Sequence, residues 1–572
     1  MKNQTSFTGR IWQKAPFYEH LESIYEILLK KRKLTTPEKI QKFLAPDFHD
    51  LPDPWNMKGM KKAVDRIEQA IEKKERIMIF GDFDADGITS TVILVEGLRQ
   101  LGAHVSYRIP DRNTHSHGLK RDAIKEIVSQ EVSLLITCDC GTNDHEEVAL
   151  AHELGMDVIV TDHHMSDPAQ FPHAALAVIN PHQPGCPYRG KGLSGAGVAW
   201  KLLSALAERN GKGHDFLAPF LEVCALGTVA DCMQLTGENR ILVKHGLQQL
   251  KQTQWSGLAL LLERANILPE NMDEDTIRFC IAPRLNAASR IGNVTIAAQL
   301  FLGEASGHAQ RVAQLEQWNN DRQVLLQETL EQSFSQVRSH ASCQTLHHPS
   351  WRPGVLGLVA SRQVEMFRVP VIASSIREDG LLTASCRAPE GCSMISALHS
   401  APELFGQFGG HDGAAGFVTS PEKWEAVIEA LDTYFNRITR TTTPLSVDAW
   451  ISPSLLNGAL LQFLKSLAPF GPGNGEPVFG IRSVQVEDFS LMGEKKNHIR
   501  ISGIAEDRRL DFTAFFADEF IDRVNVGQTL DIACTVSENI WNGERRLQLR
   551  VEDMRETTGK FLKNTHNLPV LY

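Results

Sequence analysis

The stretch Arg76–Thr91, RIMIFGDFDADGITST, joins an apolar segment to three alternating aspartates, Asp82, Asp84 and Asp86. Three carboxylates in one small volume raise one another's pKa unless a cation lies among them. The pattern D-x-D-x-D-G also opens an EF-hand loop, but that loop needs a Glu at its twelfth position, where this chain has Ile93. The segment before the acids has the composition of a strand rather than a helix. We therefore interpret the stretch as a metal site that is not a calcium loop; an acidic surface turn is the alternative.

Length and composition indicate a globular protein of several domains. The chain has 572 residues, 42% hydrophobic and 22% charged, which predicts about three or four domains. The net charge of −10 does not favour binding of nucleic acid through the overall electrostatic field. Any contact with nucleic acid therefore requires local basic grooves. The ten cysteines form no C-x-x-C pair, which indicates free thiols rather than a zinc ribbon or a disulfide framework.

The N-terminal sequence MKNQTSFTGRIWQK lacks the apolar core of a signal peptide. No segment reaches the roughly 18 consecutive apolar residues that a membrane-spanning helix needs. We therefore expect a cytoplasmic protein with no membrane partner.

Short apolar strands alternate with helical patterns in the first half of the chain. The predicted strands are Ile77–Phe80, Val105–Ile109, Leu134–Cys138, Val158–Thr161 and Ala177–Ile179. This alternation is typical of a doubly wound parallel sheet.

Polar residues follow the carboxyl ends of these strands. Asp139 follows the third strand, Asp162–His164 follow the fourth, and Asp231 ends a later apolar segment, ALGTVAD. Because ligands bind at the carboxyl ends of strands in open α/β sheets, we expect these side chains to converge with the aspartates of the opening stretch.

The rest of the chain changes character twice. Residues 246–345 are predicted to be mainly helical, with one uninterrupted helix of about 50 Å from residue 307 to 340. Five short strands after the linker at 439–443 predict a small barrel such as an OB-fold. We predict an α/β multidomain protein with these parts: an N-terminal helical cap at 1–55, a parallel-sheet domain at 56–245, a helical connector at 246–345, a smaller α/β domain at 346–438 and the barrel at 444–560.

The predicted metal site has mostly oxygen ligands, which suits Mn²⁺ or Mg²⁺ better than structural zinc. Its residues are Asp82, Asp84, Asp86, Asp139, His163 and Asp231. Because five carboxylates exceed what one divalent ion needs, we predict two ions about 3.5–4 Å apart bridged by Asp139, an arrangement that hydrolyses phosphate esters. Adjacent side chains of an extended chain point to opposite sides. We therefore expect His163 to bind metal and His164 to face the substrate phosphate or protonate the leaving group, while Asp162 orients the imidazole of His163.

Ten motifs occur in order between about residues 52 and 553. They are GDFDADGITS, DCGT, TDHH, INPH, ALGTVADCMQLTGENR, APRLNAASR, NNDRQ, WRPGVLGLVASR, FGGHDGAAGF and PFGPGNGEPVF. They resemble the DHH phosphoesterase superfamily, whose name-giving motif stands here as Asp162–His164, and within it the RecJ family of single-strand-specific 5′→3′ DNA exonucleases.

The resemblance implies a DHH catalytic domain, a connecting helix, a DHH-associated domain and a C-terminal OB-fold that binds nucleic acid. It implies hydrolysis of single-stranded DNA from a free 5′ end to 5′ mononucleotides, with manganese or magnesium, in DNA repair and recombination. It also implies a single-strand-binding protein and a helicase as partners. We expect a monomer.

Position by position, the resemblance assigns metal binding to Asp84, Asp86, Asp139, His163 and Asp231. It assigns contacts with the DNA backbone or its 5′ phosphate to Arg284, Ser385, Arg387, Gly409, Gly410 and His411. Glycine lets the backbone approach a phosphate closely, although a flexible turn also explains that motif.

The barrel strands interleave basic and aromatic residues, which fits a groove that binds single strands. A solvated charged face over an aromatic core is the alternative. Trp541, in a predicted turn, is our candidate for stacking on a base.

The chain departs from the family pattern at several positions. Phe80 stands where many members carry a histidine, which makes Asp82 the candidate substitute ligand. Arg352, Ser289 and the segment THSHGL at 114–119 also differ. Two other functions remain open: a phosphoesterase of short oligonucleotides or cyclic dinucleotides, which would not need the barrel, and a non-catalytic scaffold, which would have no reason to keep a repulsive acidic cluster.

Overall fold

The computed structural model describes residues 6–111, 118–438, 444–493, 496–515, 517–541 and 544–557. The chain divides into two compact units. The acid-bearing unit comprises Pro46–Thr441 and Pro469–Asn474; the barrel unit comprises Met1–Ala45, Thr442–Ala468 and Gly475–Tyr572. Within the described ranges, no helix is both long and apolar enough to cross a membrane.

The N-terminal segment contains three regular elements. They are β1 (Phe17–Tyr18), α1 (Leu21–Lys31) and α2 (Pro37–Leu44). Helix α2 begins after Thr36, whose side chain accepts a hydrogen bond from the backbone N–H of Lys39, and a proline occupies its first position, where no helical N–H is needed.

Five strands form the central sheet of the acid-bearing unit. They are β2 (Arg76–Gly81), β3 (His104–Arg108), β4 (Leu134–Cys138), β5 (Asp157–Thr161) and β6 (Ala177–Ile179). Their order is β3-β2-β4-β5-β6, and every pair is parallel. The predicted doubly wound sheet is therefore confirmed. The strand order reverses between β2 and β4, which is where such sheets bind ligands.

Helices cover both faces of this sheet. They are α3 (Met60–Glu72), α4 (Ala85–Gln100), α5 (Arg121–Ser129), α6 (His145–Glu153), α7 (Gly195–Arg209), α8 (His214–Ala230) and α9 (Gly237–Leu250). Side chains of β2 alternate between two cores. Ile77 and Ile79 pack with residues of α4 and α7, whereas Met78 and Phe80 pack with residues of α5 and α6.

The connector is helical. Its helices are α10 (Ser256–Arg264), α11 (Ala282–Ile291), α12 (Val294–Leu302) and α13 (His308–Phe334). A π-helical turn, Thr276–Ile281, leads directly into α11. The predicted long helix exists as α13, which has 27 residues and spans about 40 Å; it ends before residue 340.

A second, smaller sheet completes the acid-bearing unit. Its strands are β7 (Gln344–His347), β8 (Val371–Ile376), β9 (Leu382–Arg387), β10 (Gln407–Gly410) and β11 (Ala414–Thr419), and its helices are α14 (Pro353–Phe367), α15 (Met394–His399) and α16 (Trp424–Asn436). The order is β10-β11-β9-β8-β7, and only the β7–β8 pair is parallel among the described strands. The predicted smaller α/β domain is confirmed.

The barrel unit is built mainly from antiparallel strand pairs. Its remaining elements are β12 (Ala449–Ile451), β13 (Phe479–Met492), β14 (His498–Ala505), β15 (Arg508–Ala514), β16 (Thr529–Trp541), β17 (Glu544–Glu556), α17 (Gly458–Leu467) and α18 (Asp518–Ile521). The circuit β13-β14-β15-β17-β16 closes through pairing of β16 with β13, and within it β15 pairs with β17 in parallel. This five-stranded closed barrel confirms the predicted OB-fold.

The N-terminal segment belongs to the barrel unit. Strand β1 pairs in parallel with β12, and Trp12 donates from Nε1 to Asp553 Oδ2 at 2.9 Å. The sequence predicted instead a cap on the domain that follows it. Chain proximity suggested that placement, whereas strand pairing and indole burial, which are long-range, determine the observed one.

Candidate metal centre and active site

The aspartates of the opening stretch lie where β2 gives way to α4. Strand β2 ends at Gly81 and α4 begins at Ala85, so Asp82 and Asp84 occupy the connecting loop. The Asp84 carboxylate accepts hydrogen bonds from the backbone N–H groups of Asp86 (2.9 Å) and Gly87 (3.0 Å). Asp84 is thus the N-cap of α4, where the helix dipole favours negative charge.

Asp86 is buried against the start of another helix. Its Oδ2 accepts from the N–H of Gly195 at 2.7 Å, and its Oδ1 accepts from the N–H of Ala196 at 2.9 Å. A Cβ at position 195 would lie 2.6 Å from Cβ and Oδ1 of Asp139. Glycine therefore lets the first turn of α7 approach Asp86 and Asp139 together.

Asp139 follows β4 in the left-handed backbone region, with φ of +61°, a conformation that costs energy for a residue with a side chain. Its N–H continues the sheet by donating to Thr161 O at 3.0 Å. Its Oδ1 is buried and accepts no hydrogen bond among the described residues, although it lies 3.0 Å from His163 Nε2. A strained residue with an unsatisfied carboxylate oxygen is typical of a functional site.

One nitrogen faces three carboxylates. His163 Nε2 lies 3.0 Å from Asp139 Oδ1, 3.6 Å from Asp231 Oδ2 and 3.8 Å from Asp86 Oδ2. Asp231 reaches this point from the C-terminal end of α8.

The structure brings all six predicted ligands into small groups. Asp82, Asp84 and Asp139 form one group, and Asp86, His163 and Asp231 form another, with the ligand atoms of each group within 4.8 Å of one another. Asp139 also groups with His163 and His164. Asp139 thus lies between the two groups, as a bridging ligand must; metal binding by these residues stays a prediction.

The acids carry an electrostatic cost that a cation would remove. Burial and then the charges of neighbouring aspartates raise the pKa of Asp86 and of Asp139 above their usual range. Burial and the charge of Asp84 raise the pKa of Asp231 to about 7. Carboxylates with one imidazole, together with the unsatisfied Oδ1 of Asp139, fit Mn²⁺ or Mg²⁺.

Asp162 organises the segment that follows β5. Its Oδ1 accepts from the N–H groups of His163 (2.7 Å) and His164 (3.1 Å), and its Oδ2 accepts from Thr142 N–H (3.0 Å). The same Oδ1 lies 2.8 Å from Nδ1 of the His164 ring. Asp162 was expected to orient the imidazole of His163, but this ring contact is with His164.

The Asp162–His164 pair favours its charged form. Burial opposes charge on His164, but the Asp162 carboxylate outweighs it and raises the pKa of His164 to about 10. In the same way, burial would raise the pKa of Asp162, but His164 holds that pKa below its usual value. His164 Nδ1–H is therefore the donor to Asp162, and the charged ring also carries a proton on Nε2.

Strand alternation predicted that the two imidazoles point to opposite sides. Their ring centroids lie only 4.6 Å apart. Strand β5 ends at Thr161, and the bonds of Asp162 to both following N–H groups curl the backbone, so the rule for extended chain does not apply here.

The predicted DNA contacts lie partly on the connector and partly on the small sheet. Arg284 Nε donates to Glu316 Oε1 at 2.8 Å and its Nη1 donates to Cys280 O at 2.8 Å. On β9, Arg387 Nη1 donates to Ser385 Oγ at 3.1 Å. Arg284 lies on α11, and Ser385 and Arg387 lie beside Gly357 of α14. The contacts of these residues with DNA stay a prediction.

The glycine motif forms the β10–β11 hairpin. Gly409 and Gly410 are exposed on β10, and Gly410 has φ of +137°, which favours glycine. The N–H of His411 donates to Ala414 O at 2.7 Å. Trp541 ends β16, and its side chain lies outside the described residues.

Two departures from the family pattern have clear positions. Phe80 is fully packed in the core between the sheet and α5 and α6, so this position supplies no metal ligand. Ser289 is buried and donates from Oγ to Asn286 O. Residues 114–117 of the segment THSHGL lie outside the described residues.

Sequence reasoning assigned no role to two asparagines that support the site. Asn286 Oδ1 accepts from Ala85 N–H at 2.9 Å, between Asp84 and Asp86. Asn180 Nδ2 donates to Thr142 Oγ1 at 2.8 Å and to His164 O at 2.9 Å. Asn286 lies in the motif APRLNAASR and Asn180 lies in the motif INPH. Their membership of these motifs is the sequence signal that could have identified them.

Family models match three parts of the chain. A model of the DHH family N-terminal domain matches residues 76–228, one of the DHHA1 domain matches 338–437 and one of the RecJ OB domain matches 447–553. The single-stranded-DNA-specific exonuclease RecJ of Bacillus subtilis strain 168 is 34% identical over 93% of this chain and 68% of its own length. The enzyme of the same name from Salmonella typhimurium strain LT2 is 32% identical over 88% of this chain and 91% of its own.

The chain belongs to the RecJ family. Among solved structures, RecJ from Thermus thermophilus in complex with Mn²⁺ superposes with a TM-score of 0.80 at 31% identity, covering 94% of this chain and 76% of that one. The Mg²⁺ complex of RecJ from the same organism gives a TM-score of 0.75 at 29% identity, with 94% and 75% coverage. The RecJ relatives thus bind the two metals that the donor set of this site suits.

Proposed function

We propose that this chain is a metal-dependent exonuclease that hydrolyses single-stranded DNA from its 5′ end to 5′ mononucleotides. The observation that carries the proposal is the convergence of five aspartates and His163 on the switch point between β2 and β4, with Asp139 shared between two ligand groups. The RecJ relatives are named single-stranded-DNA-specific exonucleases, which supports the substrate.

The two ligand groups define how metal would be held. Asp82, Asp84 and Asp139 would hold one ion, and Asp86, His163 and Asp231 would hold a second that shares Asp139. When bound, such ions supply an acidified water as nucleophile and neutralise charge on phosphate oxygens. Two Mn²⁺ or Mg²⁺ ions would offset most of the negative charge of the five carboxylates of this site.

Residues of the chain itself position the predicted metal ligands and provide one proton donor. The N-termini of α4 and α7 fix Asp84 and Asp86 by backbone hydrogen bonds. His164, charged and held by Asp162, would donate from Nε2 to a phosphate oxygen or to the leaving oxygen. Asp162 and His164 therefore act as one catalytic pair.

The 5′ polarity rests on residues matched through the family. We propose that the connector and the small sheet contact the 5′ phosphate and the first phosphodiesters through Arg284, Ser385, Arg387, Gly409, Gly410 and His411. Backbone amides and guanidinium groups suit contacts that fix position without reading sequence. Trp541 would stack on a base farther along the strand.

Incubation of the purified protein with Mn²⁺ and a 5′-labelled single strand tests the proposal. Labelled mononucleotide released from long strands, with a 5′-blocked strand resistant, is the expected result. Cleavage confined to short oligonucleotides or cyclic dinucleotides would indicate the related phosphoesterase, and no product with any metal would indicate a scaffold.

The cellular role is proposed from the family alone. We place the enzyme in the cytoplasm, in DNA repair and recombination, as a monomer that works with a helicase and a single-strand-binding protein. Stimulation of degradation of a tailed duplex by a helicase, measured by release of mononucleotide, checks this role.

A further inference from the structure

The π-helical turn before α11 exposes one aromatic side chain. Phe279 is 67% exposed, more than any other large apolar side chain that the structure describes. Its neighbours Ile277 and Ile281 are fully buried. A single exposed apolar residue is ordinary on protein surfaces, so exposure alone assigns no role to Phe279.

The backbone at Phe279 is unusual. A π-helical turn accommodates an extra residue relative to an α-helix, and such turns are rare and frequent at functional sites. Here the turn buries Thr276 and Ile281 and directs Phe279 outward. The exposure of the Phe279 side chain therefore follows from the geometry of the turn.

The turn that carries Phe279 is joined to two elements that position predicted metal ligands. It leads directly into α11, whose Asn286 accepts the hydrogen bond from Ala85 N–H in the aspartate loop. It also packs against α8, the helix that Asp231 directly follows.

Arg278 provides a fixed cation beside the ring. Its Nη1 donates to Asp275 Oδ1 at 2.5 Å and its Nη2 donates to Phe470 O at 3.1 Å. Its guanidinium carbon lies 5.7 Å from the centroid of the Phe279 ring, within the range of a cation–π contact. A cation so held orders the ring while leaving most of its surface open.

Arg278 also borders the segment that follows Asp231. A Cβ at Gly471 would lie 2.9 Å from Leu235 Cδ1 and 3.2 Å from Arg278 Nη2, so both side chains line one small space. Arg278 therefore lies beside the segment that follows Asp231, and Phe279 lies in the turn that leads into the helix of Asn286.

We propose that Phe279 stacks on a nucleobase of the single strand next to the metal centre, with Arg278 holding the ring in place. The proposal rests on the proposed function and adds a substrate contact to it. Every base offers a π-face, so stacking gives affinity without sequence preference, whereas an aliphatic side chain of similar size cannot replace it.

The test compares Phe279→Ala, Phe279→Leu and Phe279→Tyr in equilibrium binding of a 5′-phosphorylated oligodeoxythymidylate, with Ca²⁺ in place of Mn²⁺. Base stacking predicts that the Ala and Leu variants bind about 5- to 150-fold more weakly, while the Tyr variant stays close to wild type. Phe334→Ala, which removes a 43% exposed phenylalanine at the end of α13, is the matched control and should bind normally.

A scan with abasic nucleotides identifies the stacked base. Removing the base at one or two positions should weaken binding to the wild type but leave binding to Phe279→Ala unchanged, because the two changes remove the same contact. Equal binding by the Ala, Leu and Tyr variants, or additive losses at every abasic position, would overturn the stacking proposal.

The outcomes for the two proposals are distinct. A wild type that degrades single strands while Phe279→Ala binds them normally overturns the stacking proposal alone. A wild type that neither binds nor degrades single strands with Mn²⁺ overturns both.

Discussion

The aspartate–histidine centre and the predicted DNA-contact surface of Ser385, Arg387, Gly409, Gly410 and His411, called here the β9–β10 surface, are built in opposite ways. In the centre, backbone N–H groups at two helix N-termini hold Asp84 and Asp86, and a Cβ at Gly195 would collide with Asp139. On the β9–β10 surface, Gly409 is exposed and a Cβ there would meet no atom within 4 Å. A small ion requires ligand side chains that are held in place by hydrogen bonds from the surrounding protein. A polymer that must enter and leave requires an open surface.

Replacement of Asp139, the ligand that both predicted ions share, should have the largest effect on activity. We expect Asp139→Ala to lower the rate of mononucleotide release in Mn²⁺ by at least about 10⁴-fold, because it removes a ligand of both predicted ions. Single-strand binding should stay within a few-fold of wild type, since the β9–β10 surface is intact. Turnover near the wild-type rate would contradict the two-metal interpretation.

Replacement of the proposed proton donor, His164, should reduce activity less than replacement of Asp139. His164→Gln keeps a polar side chain but loses the charged donor, so kcat should fall by about 10²- to 10³-fold. The Mn²⁺ concentration at half-maximal activity should change little, which distinguishes His164 from the ligands. Asp162→Asn should lower kcat in the same direction, because the neutral amide no longer stabilises the imidazolium; an unchanged kcat in both variants would exclude the pair from catalysis.

A pair of glycine substitutions compares the two regions directly. Gly195→Ala pushes a methyl group against Asp139, so we expect Mn²⁺ affinity to fall by about 10- to 100-fold. Gly409→Ala places the same methyl group in open space and should leave Mn²⁺ affinity and thermal stability unchanged. Equal Mn²⁺ affinity in both variants, measured by titration calorimetry, would show that the close approach at residue 195 is not required.

The smallest expected effect is on stability. The pKa of Asp231 is raised to about 7, so the folded apo-protein holds a proton that the unfolded chain has released. Unfolding free energy in EDTA should therefore fall as pH rises from about 4, the ordinary pKa of an aspartate, to about 7, by at most about 1.4 kcal/mol per pH unit for each such proton. Water screens part of this effect, because 32% of the Asp231 side chain is exposed.

Mn²⁺ is the control for this pH dependence. A bound cation stabilises the deprotonated carboxylates and replaces the proton, so the fall should diminish in Mn²⁺ when stability is measured by denaturant unfolding. A stability that is flat with pH in EDTA would show that the aspartates do not repel one another as their burial implies.

The fold class and the position of most of the acids follow from local patterns in the amino-acid sequence. Strand and helix periodicity are local properties of the chain, so the parallel sheet and the barrel could be predicted from them. Because strand ends in such a sheet share one rim, Asp139 could be assigned to the same site as the aspartates after β2. Asp231 joins them from the end of helix α8 rather than from a strand end, so the strand rule does not explain its position. Ordered motifs added the family, and Phe80 indicated the ligand that this chain lacks.

Contacts that depend on the direction of the backbone after a strand or helix ends are visible in the three-dimensional structure alone. Asp162 contacts the ring of His164 because the chain curls after β5, and no periodicity describes that turn. Asn286 reaches Ala85 from a helix about 200 residues away, and Trp12 joins the barrel through Asp553. Such pairings arise from long-range packing, which leaves no local pattern in the sequence.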